Sequence, residues 1–128
     1  MSNNNLILDF DGVIADTSLE KSRVFKDFFF EFSCANEILN YQIKNKGISR
    51  YDILNKLYHL ENIKCEKKRK LILNKLNLKM NEIAEKIIIK NTIKKKIIKL
   101  SNSFNLYLAS NAPHDELNHI IKNNDLDN

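Results

Sequence analysis

Residues 6–17 read Leu6-Ile7-Leu8-Asp9-Phe10-Asp11-Gly12-Val13-Ile14-Ala15-Asp16-Thr17. A short apolar run stops abruptly at two aspartates one residue apart, followed by glycine. The pattern predicts a buried strand that delivers paired carboxylates and a tight turn to its C-terminal end, where open α/β sheets bind their ligands. Side chains on an extended segment alternate with period 2, so Asp9 and Asp11 can face one pocket. One carboxylate can attack phosphorus while its neighbour protonates the leaving oxygen and later activates water. Two carboxylates held this close also repel, which invites a hard divalent cation; Mg²⁺ suits oxygen ligands and bridges to substrate phosphate. Gly12 lets the backbone turn sharply beside the site.

The competing reading is a polar loop or the opening of a calcium-binding loop. An EF-hand starting at Asp9 would place its bidentate acid on Glu20. Val13, Ile14 and Ala15 supply no side-chain oxygens for the intervening ligand positions.

The stretch from Asp9 to Thr17 resembles the first motif of the haloacid dehalogenase superfamily of phosphohydrolases. The resemblance implies that Asp9 is the nucleophile and Asp11 the general acid/base. It further implies Mg²⁺ held by the Asp9 carboxylate and the Asp11 backbone carbonyl. An aspartate at position 11 points to a phosphatase or phosphomutase, because the superfamily's dehalogenases lack that residue and its transport ATPases carry threonine there. The substrate expected on this basis is a small phosphorylated metabolite.

A second strand candidate, Asn105-Leu106-Tyr107-Leu108-Ala109, runs into Ser110-Asn111-Ala112-Pro113. A hydroxyl and an amide at a strand end, just before a helix start, suit phosphate oxygens, and Pro113 fits the first helical position. In the same superfamily the second motif is a strand ending in Ser or Thr, so Ser110 resembles its phosphate-binding hydroxyl and Asn111 the amide beside it. Taken alone, the segment reads as an ordinary strand-to-helix connection with a capping Ser or Asn; the first motif is what favours the phosphate site.

Between the two segments, scarce Gly and Pro and helically spaced apolar residues predict a helical insert. Val24, Phe25, Phe28, Phe29 and Phe32 form one apolar face, read as core packing. Ile53, Leu54, Leu57, Tyr58 and Leu60 suggest a second helix, Leu71, Ile72, Leu73 and Leu76 a third, and residues 83–89 a fourth. Residues 87–89 can equally begin the return to the core. An all-helical insertion at this point resembles the cap of the phosphoglycolate phosphatase-like and β-phosphoglucomutase-like branch. Within it, Lys46-Gly47-Ile48-Ser49-Arg50-Tyr51-Asp52 reads as a loop-to-helix junction, with Ser49 as N-cap and Asp52 three residues on. The Gly-Ile-Ser-Arg run is similar to a cap loop that closes over the site in small phosphatases of the superfamily. On that reading Arg50 contacts a substrate anion; the alternative is a solvated position on the helix surface.

Residues 92–100 predict an amphipathic helix leading into the second strand, and Leu117, Ile120 and Ile121 mark a helix after Pro113. The expected fold is α/β: a partial Rossmann-like core of parallel strands with flanking helices, residues 1–16 and 90–128, interrupted by a helical cap, residues 17–89. The family resemblance implies two further motifs, a lysine and a set of acids, downstream of the second. The 128 residues hold neither, so the chain is expected to be the front part of a longer enzyme, or a remnant or half-protein that self-associates or depends on a partner. Two visible core strands also predict exposed strand edges and uncovered apolar surface.

Composition narrows the remaining classes. With 21 Lys and Arg against 16 Asp and Glu the net charge is +5, which permits attraction to phosphorylated substrates. The basic runs, residues 67–70 and 94–96, read as solvated helix faces rather than a nucleic-acid surface. Cys34 and Cys65 have no metal-ligand spacing and fit reduced thiols in a cytoplasmic protein. His114 and His119 lack the four-residue spacing of a helical zinc pair. No secretory or membrane-spanning segment, repeat or low-complexity linker is visible, and Asn3-Asn4-Asn5 is expected to fray.

Overall fold

A computed structural model describes residues 4–127. Two strands, β1 (Asn4–Asp9) and β2 (Phe104–Ala109), pair in parallel, from Asn4 opposite Phe104 to Asp9 opposite Ala109. Parallel strands need a long crossover. Here it is made of α1 (Ser18–Phe29), α2 (Ala35–Lys44), α3 (Arg50–Leu60), α4 (Glu66–Ala84) and α5 (Asn91–Ser101); α6 (His114–Asn123) follows β2. The fold is α/β, a partial Rossmann-like core with helices. Asn3 lies outside the described residues, whereas Asn4 and Asn5 do not fray: pairing with β2 holds them in β1.

Two apolar clusters organise the chain. The first joins α1 to α4 around Phe28, Phe29, Ile38, Leu54, Leu57 and Leu76. Its aromatic part comes from the α1 stripe, where Phe25 and Phe29 stack at 5.8 Å and Phe28 meets Phe29 edge-on at 5.2 Å, geometries that add to simple burial. Phe32 lies beyond the end of α1 and still reaches Phe28, at 5.8 Å between centroids. The second cluster gathers Phe10, Ile14 and Ala15 below the strand end with Ala84, Ile89 and Ile120. Helix α4 serves both: Met80 packs in the first cluster and Ala84, one turn on, in the second.

The helices depart from the apolar pattern in instructive ways. Helix α2 has one fully buried residue, Ile38, flanked by the partly covered Ala35 and Leu39, a short stripe not identified from sequence, and leaves Ile43 exposed. The third expected helix is the centre of the longer α4, whereas the fourth, expected over residues 83–89, does not form: only residues 83 and 84 are helical, as the end of α4. The helix ends at Ala84, and the following segment turns back to the second cluster with Ile89 buried. Pro113 precedes α6 rather than starting it, with an extended ψ of 147°. Ser49 caps α3: its hydroxyl accepts from the Asp52 backbone N–H at 3.1 Å and donates to the Asp52 carboxylate at 2.6 Å.

β1 is not buried as the apolar run suggested. Leu6 and Leu8 are partly covered, but Ile7 and Tyr107, on the opposite face, are 70% and 54% exposed. The reason is the narrow sheet: with two strands, packing covers the Leu8 side and leaves the other to solvent. An apolar groove of about 540 Å³ lined by Leu8, Phe10, Ile97, Leu106 and Ile121 runs along the covered side.

A buried side-chain amide closes the second cluster. Asn124 accepts from the Ile89 N–H at 2.8 Å and donates to the carbonyls of Ile87 at 2.9 Å and Ile120 at 2.8 Å. It thereby satisfies the backbone of the segment after α4, which no strand pairs. Asn124→Ala leaves a buried N–H without a partner and is expected to destabilise the fold by about 2–3 kcal/mol. Ser49→Ala is expected to cost about 1 kcal/mol, the usual loss of an N-cap. Urea unfolding of the two variants checks both values.

Candidate active site

The end of β1 is shaped by one carbonyl. Phe10, fully buried, donates its N–H to the Ala109 carbonyl at 3.0 Å, and its own carbonyl accepts from Val13, Ile14 and Ala15 at 3.3, 3.0 and 3.2 Å. The chain turns within three residues, with Gly12 at φ +78°, a conformation glycine adopts without steric cost. Burying the Phe10 ring fixes the direction of its neighbours. Asp9 and Asp11 both line a cavity of about 750 Å³, together with Gly12, Lys21, Arg50, Ser110 and Asn111. All six residues singled out from sequence therefore border one space.

Their engagement differs. One oxygen of the half-buried Asp11 carboxylate accepts from the Thr17 hydroxyl at 2.6 Å and the Lys21 ammonium at 2.7 Å, and the other accepts from the Ser110 hydroxyl at 2.7 Å. Burial alone would raise the Asp11 pKa, but hydrogen bonds from Lys21, Thr17 and Ser110 and the charge of Lys21 together hold it below its ordinary value. Asp9 is exposed, and among the described residues no hydrogen bond or ion pair engages its carboxylate. One carboxylate is thus fixed and ionised, and the other is open toward solvent.

Ser110 lies at the end of β2 and also accepts from the Ala112 N–H at 3.0 Å, so its hydroxyl links both strand ends. Asn111 donates to the Gly47 carbonyl at 2.6 Å, tying the loop after β2 to the loop before α3. Arg50, the first residue of α3, is buried. One terminal nitrogen donates to Asn77 at 2.7 Å, the other to Glu116 of α6 at 2.5 Å, and its Nε has no partner among the described residues. Glu116 is 2% exposed, and its second oxygen lies 3.8 Å from the Lys21 ammonium. Arg50 is therefore on the cavity wall with both terminal nitrogens engaged by the protein, not on a solvated helix surface.

Lys21, Glu116 and Asn77 were not identified from sequence. Lys21 was discoverable, because it follows Thr17 by one helical turn and so shares its face. Glu116 reads locally as an ordinary acid in the first turn of a helix. Its partnership with Arg50 spans 66 positions and leaves no local trace.

The donor set bears on Mg²⁺. No group of three or more His, Cys, Asp or Glu able to hold a metal occurs among the described residues. The ion needs few protein ligands, commonly one or two carboxylates with water and phosphate oxygens, and the open Asp9 carboxylate beside the Asp11 backbone is compatible with that partial set. None of the helices of the described residues is long and apolar enough to cross a membrane. Cys34 and Cys65 are unpaired.

Two stability outcomes follow from the buried charges. Arg50→Met strands the Glu116 carboxylate and is expected to cost about 3–5 kcal/mol, while Arg50→Met combined with Glu116→Leu recovers much of that loss in urea unfolding. Asp11 titrates lower in the folded than in the unfolded chain, so its stabilisation is present above about pH 4, the ordinary carboxylate range, and is lost as pH falls through its folded pKa. Asp11→Asn is expected to remove that part of the acid unfolding curve.

A model of the haloacid dehalogenase-like hydrolase family matches residues 6–128. No curated protein and no solved structure matches the chain. With the match running from within the aspartate strand through α6, the chain belongs to the haloacid dehalogenase-like hydrolase family.

Proposed function

We propose that the chain carries the phosphate site of a Mg²⁺-dependent phosphatase acting on a small phosphomonoester. The observation that carries this reading is the division of labour between the two carboxylates: Asp9 open and unengaged, Asp11 fixed from three sides. An Asp9 oxygen attacks phosphorus and the bond to the leaving oxygen breaks, giving an aspartyl phosphate. Asp11 delivers the proton to that leaving oxygen, then takes one from the water that cleaves the acyl phosphate. A phosphate dianion arriving beside Asp11 opposes the ionisation that Lys21 favours, which helps the carboxyl acquire the proton it must give.

Ser110 and Asn111 are the donors for the phosphate oxygens, Asn111 through the N–H not given to Gly47 and Ser110 by exchanging its bond to Asp11 for one to phosphate. The Asp9 carboxylate and the Asp11 backbone carbonyl would hold Mg²⁺, whose charge when bound offsets that of the phosphate and carboxylates. Helices α1 to α4 act as the cap over the cavity, with Gly47 and Arg50 on its inner side, and a cavity of about 750 Å³ suits a small metabolite. Free cysteines accord with a cytoplasmic setting.

A second reading, a catalytically incompetent remnant or partner-dependent half, is favoured by the exposed Ile7 and Tyr107 and by the apolar groove along the sheet. Hydrolysis of p-nitrophenyl phosphate by the chain decides between them. The phosphatase reading expects turnover that chelation abolishes and that Asp9→Asn lowers by at least about 10³-fold. Absence of turnover, with concentration-dependent association in sedimentation, supports the second reading.

A further inference from the structure

The charged residues lining the cavity are Asp9, Asp11, Lys21 and Arg50. A phosphate brought against two carboxylates is repelled unless a cation with open donors faces it. Arg50 contributes charge, but its side chain is only 7% exposed and is held in the wall by Asn77 and Glu116, so its remaining N–H groups are turned less toward the cavity than the Lys21 ammonium. Lys21 is differently placed. Its ammonium has three donors, of which one meets Asp11 at 2.7 Å, while Glu116 at 3.8 Å lies beyond hydrogen-bond reach. The side chain is 19% exposed, so it borders the cavity instead of being sealed from it.

Holding a lysine there requires a device, because its four-carbon stem is otherwise free to swing into water. The 2.7 Å hydrogen bond to Asp11 supplies one anchor, and the charge of Glu116, 3.8 Å away, supplies the second. The buried Glu116 carboxylate takes Arg50 on one oxygen and faces Lys21 with the other, and so draws a cation from α1 and a cation from α3 to one wall. Glu116 itself does not line the cavity.

Resting on the phosphatase reading, we propose that Lys21 is the cation that receives the substrate's phosphate beside Asp9, and that Glu116 is the positioning residue that, with Asp11, keeps it there. Lys21 then contacts the phosphate with a donor not used by Asp11, and its charge lowers the cost of placing a dianion next to two carboxylates.

Calorimetric titration of inorganic phosphate into the full chain with Mg²⁺ tests this, with thermal unfolding of each variant in the same buffer. Lys21→Met and Lys21→Gln are expected to weaken phosphate binding about tenfold or more, and Lys21→Arg to restore it to within about threefold. Glu116→Gln is expected to weaken binding too, yet to add little on top of Lys21→Met, a coupling that mere loss of stability would not produce. A variant-free measurement runs alongside: phosphate should slow reductive methylation of Lys21 while leaving the exposed Lys68 unchanged.

Unaltered affinity in the Lys21 variants, or unaltered methylation of Lys21, overturns the proposal. The phosphatase reading survives that result if Asp9→Asn still abolishes turnover. A wild-type chain that neither binds phosphate nor turns over substrate overturns both.

Discussion

The Asp11 carboxylate is the junction on which the site depends. Through Ser110 it joins the end of β1 to the end of β2, and through Thr17 and Lys21 it joins both to the start of α1. A carboxylate accepts several hydrogen bonds only when its donors converge, and these come from segments 99, 6 and 10 residues away. Because the convergence favours the ionised group, it also stabilises the arrangement of its donors. Asp9 is left free by the same geometry: it belongs to the last ladder pair of the sheet, with its carboxylate outside the network.

Around that junction the chain solves a packing problem with few residues. Two strands offer little surface, so the second apolar cluster draws on the end of α4, the segment around Ile89, and α6. Asn124 supplies the hydrogen bonds that a neighbouring strand would otherwise give to the Ile87 and Ile89 backbone. Helix α4 then ties this cluster to the larger aromatic one, and Arg50, Asn77 and Glu116 form a buried polar bridge between α3, α4 and α6. Such a bridge is a weak source of net stability but a strong constraint on geometry, since either charge left alone is costly. Charge and packing thus set the same relation between the helices and the strand ends.

Much of this was legible in the residues. The aspartate pair after an apolar run, the Ser-Asn pair after another, and the glycine between strand and turn are local patterns whose meaning comes from period-2 alternation and strand-end chemistry. The Ser49 cap was legible too, because capping uses atoms within three residues. What escaped is equally specific. Helix α2 fully buries a single residue, and its stripe of Ala35, Ile38 and Leu39 is too short to stand out. Asn124 sits among asparagines and aspartates with no local mark of burial, yet it is 2% exposed. Arg50 admitted two readings, and its actual partners, Asn77 and Glu116, were neither of them.

By itself, the sequence determined the family, the α/β class, the two strands and six of the residues that line the cavity, because each is encoded by spacing within about a dozen positions or by a motif that such spacing defines. The tertiary structure alone decided which carboxylate is bound and which is open, and that one buried glutamate faces both Lys21 and Arg50. Those facts depend on which side chains meet across long sequence separations and on how much water reaches them. Both are set only when the apolar clusters close, and no local pattern records them.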